Sequence, residues 1–235
     1  MDIFKNISLK YTHRDLLRNI VSLRESQDLF DDLSADPSDR EVAQRVEGEV
    51  KPPYYQSHRP VIDRPFEEAQ WAHAVAYPFE NWQRSRFSDG SFGVWYGSHS
   101  AETTVYETAY HWHRFLCDAN FDKEAVTQER KIYSVFCEAA LLDFRPLTQI
   151  YRELINKTDY GLTHIVGAKI HHEGHPGLLT ISARHKEGTV YAIFNPNVLS
   201  NVRYSYALTY RLQGNRIQVE RVPGKILLEF STGDL

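Results

Sequence analysis

The chain has 235 residues, 42% of them hydrophobic and 25% charged, ordinary values for a globular protein with one sizeable core. Its 27 basic residues are outnumbered by 31 acidic ones, a formal net charge of −4, so no global positive field draws it to nucleic acid or an anionic membrane. No run of about eighteen apolar residues occurs, and MDIFKNISLKYTHRDLL at the N-terminus holds no apolar signal core, which predicts a cytoplasmic protein without membrane anchorage.

In chain order, Thr12 and Asp15 resemble a capping box ahead of Leu16, Leu17, Ile20 and Val21, and this spacing predicts a helix over 13–24. A second short helix is expected around Leu29, Phe30 and Leu33, and a third from Asp39 to Val46. The polar, proline-containing stretch from Val50 to Arg64 reads as a surface connection. Residues 1–50 are thus expected to be a helical extension packed on a main domain of residues 51–235.

From Phe87 the pattern turns to β, with the short aromatic strand FGVWYGS bounded by glycines. Ser100 is placed to cap a following helix, with Glu102 in its first turn and an apolar stripe of Val105, Ala109, Trp112 and Leu116. Glu107 lies about 200° from Val105 at about 100° per residue, off that stripe. Residues 131–144 predict a strand, 147–156 and 160–172 helices. GLLTISAR and TVYAIFNP predict paired strands around HKEG, RYSYALTYRL and RIQVERV a hairpin across QGN, and KILLEF a last strand. Helices interrupt a strand-rich second half without βαβ alternation, which predicts an α+β fold. Cys117 and Cys137 are expected to be small core residues in a reducing compartment, since neither belongs to a CxxC pair.

Several chemistries find little support. His111 and His113 in HWH face apart on a helix, and HHEGH (His171, His172, His175) lacks the zincin HExxH spacing, so no metal site is expected. Ser182 in TISAR lacks a GxSxG elbow, and the chain has neither GxGxxG nor GxxxxGK[ST]. Arg86, Tyr96, Glu107, Ser182 and Arg184 remain. An arginine holds phosphate, a tyrosine stacks on a flat ring and a carboxylate stabilises a cationic sugar, which together meet the needs of splitting a nucleotide at its glycosidic bond. The plainer alternative keeps Arg86 and Glu107 as solvated charges, Tyr96 as a core aromatic and Ser182 as a strand residue.

The stretch RFSDGSFGVWYGSHSAETTVYETAYH resembles the central motif of the RES-domain toxins of bacterial toxin–antitoxin pairs. There an arginine precedes a glycine-containing strand ending in tyrosine, and SxETxxxE opens a helix, as Ser100, Glu102, Thr103 and Glu107 do here. GLLTISARHKEGTVYAIFNP is similar to the family's final motif through Ser182, Arg184 and Phe194. The resemblance covers roughly residues 75–200. It implies a fold related to ADP-ribosyltransferases, with a mixed β core and surrounding helices, and an NAD-consuming activity in which NAD is substrate rather than cofactor.

On that resemblance the arginine, glutamate and serine that name the family fall on Arg86, Glu107 and Ser182, with Tyr96 as the strand tyrosine. The implied roles are a carboxylate for the oxocarbenium-like ribose (Glu107), a pyrophosphate clamp (Arg86), packing on nicotinamide or its ribose (Tyr96) and ribose orientation (Ser182), with Arg184 also on the NAD-binding side. The acceptor is open among water, phosphate and a protein side chain. A cognate, Xre-like antitoxin is the implied partner, and a homo-oligomer within the toxin–antitoxin complex is allowed. One departure stands out: where the family carries a further arginine in PFRY, this chain has PFENW with Glu80, and Arg18 is the candidate replacement. The departure leaves a second reading, a catalytically weak module that acts by binding a partner.

Overall fold

The computed structural model describes residues 3–5, 7–22 and 68–234. Eight strands form one mixed sheet: β1 (Ser8–Val21), β2 (Trp95–Gly97), β3 (Val126–Asp143), β4 (Gly177–Ile181), β5 (Thr189–Ile193), β6 (Leu199–Gln213), β7 (Arg216–Val222) and β8 (Lys225–Ser231). The strands run in the order β2-β5-β4-β3-β6-β7-β8, and β1 pairs antiparallel with β3 along its whole length. A bridge between Leu17 and Ser98 then joins β1 to the end of β2, so that β1, β3, β4, β5 and β2 form a closed circuit. Four helical pieces accompany the sheet: α1 (Glu68–Trp71) and α2 (Tyr77–Glu80), separated by a π turn over Ala72–Ala76, then α3 (Ala101–Asp118) and α4 (Gly161–His172). The architecture is α+β, as the element pattern predicts.

The helix expected over 13–24 is not formed: residues 8–21 are a strand of the main sheet. Leu16 and Leu17 sit on opposite faces, Leu16 packed with Trp95 and Val135, and Leu17 against the layer of Val105 and Tyr210. Apolar neighbours needed on both faces of a strand mimic helical spacing, and β3 supplies fourteen paired positions that an isolated segment would lack. The remaining helices expected in residues 23–50, and the connection at 50–64, lie outside the described residues. The helix expected over 147–156 is instead two single 3-10 turns, Pro146–Gln149 and Arg152–Ile155. The break between them at Tyr151 lets Leu147, Tyr151 and Leu154 all pack on the cluster of Phe144.

α3 behaves as its sequence dictates. The Ser100 hydroxyl accepts from the Thr103 amide as N-cap, and Val105, Ala109, Trp112 and Leu116 are all buried against Ile132, Leu208 and Tyr210. Cys137 is buried, but Cys117 is exposed, a correction to its expected core position: it follows Leu116 by one residue and is therefore turned about 100° off the stripe. No helix among the described residues is long and apolar enough to cross a membrane.

Candidate active site

Three structural junctions converge on one cavity of about 310 Å³. The first is the turn from β2 into α3. Ser98, bridged to Leu17, donates its hydroxyl to the Thr189 carbonyl and accepts from the Ser100 amide, so the start of α3 is tied to both β1 and β5. Glu107 then falls nearly two turns into α3, on the side of the helix that faces the cavity.

The second junction is the loop after β4. Ser182, 4% exposed, places its hydroxyl 2.5 Å from Glu107 Oε1. Ser182 Oγ in turn accepts from the backbone amides of Arg184 at 3.1 Å and His185 at 2.9 Å. With two N–H groups occupying its lone pairs, the hydroxyl has its single hydrogen left for the carboxylate, and its polarity is set. A bond of this kind holds the Glu107 carboxylate in one orientation.

The third junction is the segment 84–87 that carries Arg86. The Tyr96 hydroxyl lies 2.9 Å from Ser85 Oγ and accepts from the Phe87 amide at 3.0 Å, holding the residues on either side of Arg86. Burial pushes the Tyr96 phenol up to about 12, so it stays protonated at any physiological pH. His164 of α4 adds a ring nitrogen 2.9 Å from the Ser85 carbonyl. Arg86 itself stacks over the Tyr160 ring at 4.8 Å and donates to the Asn156 carbonyl at 2.8 Å.

Arg18 enters from β1, beside the bridging Leu17. Its guanidinium donates to the Tyr96 carbonyl at 2.7 Å and lies 5.4 Å from the Trp95 ring, while its Nε is buried with no hydrogen-bond partner among the described residues. Desolvation, with Arg130 nearby, lowers its pKa to about 10, so it remains a cation at neutral pH. Glu80, by contrast, is exposed at the end of α2 and does not line the cavity, whereas Arg18 does. Among the described residues the cavity walls hold three arginines, Arg18, Arg84 and Arg86, against one carboxylate, Glu107.

Of the residues singled out in the sequence, Arg86, Tyr96 and Glu107 line the cavity, and Ser182 reaches it through Glu107. Arg184 does not line it. That side chain is 8% exposed, its guanidinium 3.3 Å over the Tyr110 ring and donating to the Lys157 carbonyl. Sequence reasoning missed the polar wall of Asn19, Thr104 and Thr108, in which the Asn19 amide donates to the Thr104 hydroxyl and to the Tyr210 hydroxyl, which also meets Thr108. Asn19 lay in the segment expected to be a helix. It also missed His111 at the rim, one helical turn beyond Glu107, although that i,i+4 spacing was readable. Desolvation lowers the His111 pKa, and Arg184, Arg86 and Arg114 lower it further against the opposing pull of Glu107. Among the described residues no group of three or more His, Cys, Asp or Glu side chains is arranged to hold a metal.

These features define an α+β protein with an arginine-lined cavity built around the oriented carboxylate of Glu107. The family model of the RES domain matches residues 56–213, more than half of the chain, and the chain belongs to that family. Its fold is similar to a chain in the crystal structure of the M. tuberculosis MbcT-MbcA toxin-antitoxin complex, at 11% identity over 88% of each chain and a TM-score of 0.46. No curated protein matches the sequence.

Proposed function

We propose that this chain is the toxin of a toxin–antitoxin pair and cleaves the nicotinamide–ribose bond of NAD. The observation that carries the reading is the charge pattern of the cavity: Arg18, Arg84 and Arg86 stand with the Glu107 carboxylate that Ser182 orients. NAD needs such a pattern, since its pyrophosphate is anionic while its ribose becomes cationic as the bond to nicotinamide breaks. In this reading Arg18 and Arg86 hold the pyrophosphate and the Tyr96 ring packs against nicotinamide or its ribose. Glu107 faces the ribose and stabilises the oxocarbenium-like sugar as neutral nicotinamide leaves. Ser182 acts on Glu107 instead of on the ribose.

The acceptor is water, phosphate or a protein side chain, three outcomes that share the same bond-breaking step. Family membership supports a cognate, Xre-like antitoxin as the partner. A catalytically weak binding module draws on Glu80 and on residues 1–50 as an interface; of these, Glu80 stands outside the cavity while Arg18 lines it.

The test is incubation of the purified chain with NAD and quantification of free nicotinamide, with and without phosphate or a cell lysate. Release without added protein, leaving ADP-ribose or its phosphorylated form, identifies a glycohydrolase or phosphorylase; release only with lysate and labelling of a protein band identifies transfer. No release under any condition refutes the enzymatic reading and leaves the partner-binding module.

A further inference from the structure

We propose that His185 is a positioning residue for this reaction: it clasps the loop of residues 182–188 onto α3 and so keeps the Ser182 hydroxyl on Glu107. The proposal rests on the reading of Glu107 as the group that faces the sugar. It starts from the fact that Ser182 and Glu107 belong to different elements, and that their 2.5 Å bond has no backbone ladder to enforce it.

The loop is folded on itself, with the Ser182 amide donating to the Gly188 carbonyl and the Gly188 amide to the His185 carbonyl, both at 2.8 Å. Those bonds shape the loop but do not attach it to α3. Arg184 reaches α3 with its guanidinium over the Tyr110 ring, and a second attachment comes from the His185 side chain. Its Nδ1 is 2.9 Å from the Thr103 hydroxyl, its ring stacks on Tyr106 at 4.9 Å and 9°, and its Nε2 lies 3.9 Å from Glu102. Thr103 is fully buried, and Tyr106 is backed in turn by Phe230 at 5.2 Å. Residues 102, 103 and 106 belong to the same two turns of α3 that present Glu107, so a rigid helix transmits the position of the imidazole to the carboxylate. Gly188 confirms how closely the loop is seated, since a Cβ there would stand 2.6 Å from the Thr103 side chain and 3.0 Å from His185 Nδ1.

The backbone of His185 has a second part in the arrangement. Its amide, with that of Arg184, fills the lone pairs of Ser182 Oγ and points the hydroxyl hydrogen at Glu107. A loop released from α3 loses both the distance and the polarity of that bond, while Arg18 and Arg86, on other elements, keep their places. The effect therefore falls on turnover and not on substrate affinity.

The experiment compares His185→Ala, His185→Phe and Thr103→Val with Ser182→Ala and the Ser182→Ala/His185→Ala double variant. His185→Ala is expected to lower kcat for NAD cleavage by about 10 to 10²-fold, the scale of a misplaced catalytic group, with KM within about threefold. His185→Phe, which keeps the stack on Tyr106, recovers part of the loss, and the double variant is no slower than Ser182→Ala alone. Amide exchange at Arg184 and His185 is expected to accelerate in His185→Ala and in Thr103→Val. Unchanged kcat, a loss confined to KM, additive losses in the double variant, or unaltered protection of the two amides overturns the clasp. If wild-type protein releases no nicotinamide, the reading of Glu107 fails, and amide exchange alone decides whether His185 holds the loop. If His185→Ala does not fold, Thr103→Val, altered from the helix side, carries both readouts.

Discussion

A single hydrogen bond orients the carboxylate at the centre of this site. Because the Ser182 hydroxyl must donate to Glu107, a glutamine at 107 can still accept that bond through its amide oxygen. Glu107→Gln is therefore expected to leave thermal stability within about 0.5 kcal/mol while lowering the rate of NAD cleavage by about 10² or more, with NAD still bound. Calorimetry and nicotinamide release on the same preparation check it; wild-type turnover would remove Glu107 from the reaction. Tyr96 differs, because its hydroxyl serves the residues around Arg86. Tyr96→Phe strands the Phe87 amide and Ser85, at a cost of about 1–3 kcal/mol, and loosens Arg86, so KM for NAD rises more than kcat falls. A KM equal to wild type in a destabilised variant would show that the grip on Arg86 is of no consequence for binding.

At the scale of elements, the site depends on how closely α4 approaches the segment 84–87. Gly167 of α4 packs directly on Phe87: a Cβ there would fall 1.8 Å from the Phe87 carbonyl oxygen, a backbone atom that cannot swing aside. Gly167→Ala is expected to destabilise the protein by about 1–3 kcal/mol and to weaken NAD binding by displacing Arg86, read from the melting temperature and KM together. An alanine variant that melts like wild type would mean that α4 shifts freely against the segment. The same scale shows where sequence reading fell short. Residues 13–24 carry apolar residues that suit a helix, yet residues 8–21 pair with β3 because a long strand with an open edge is a stronger demand than local propensity. This error concealed Asn19 and left the candidate Arg18 without a placement; both reach the cavity only because β1 is a strand closed onto Ser98.

For the whole molecule, three histidines in different places share one property. His73, His99 and His111 are each held below their ordinary value of 6.5, with desolvation the largest cause. A folded state that resists protonation while the unfolded chain accepts it is fully stable above about pH 6.5 and loses stability as the pH falls from there through the lowered folded values. The melting temperature is therefore expected to decline below about pH 6.5, before the carboxylates titrate near pH 4, and glutamine at His73 and His99 is expected to flatten the decline. Scanning calorimetry between pH 8 and pH 5 checks this; a constant melting temperature over that range would contradict it.

Local chemistry was legible in the sequence where one element settles it. Ser100 as cap, the stripe of α3, the short β2 and the hairpin of β6 and β7 follow from propensity, period and turn residues, and they hold in the fold. The order of Arg86, Tyr96 and Glu107 along one strand–helix unit was readable for the same reason, since a cap and a period of 3.6 residues fix which way Glu107 faces. Tertiary structure alone decided what happens between elements. It set Ser182 against Glu107 across 75 residues, turned Arg184 away to Tyr110, and closed β1 onto Ser98 so that Arg18 became a wall of the cavity. Those placements depend on strand pairing and on packing between distant segments, and the free energy of such contacts is not encoded in the spacing of any one stretch.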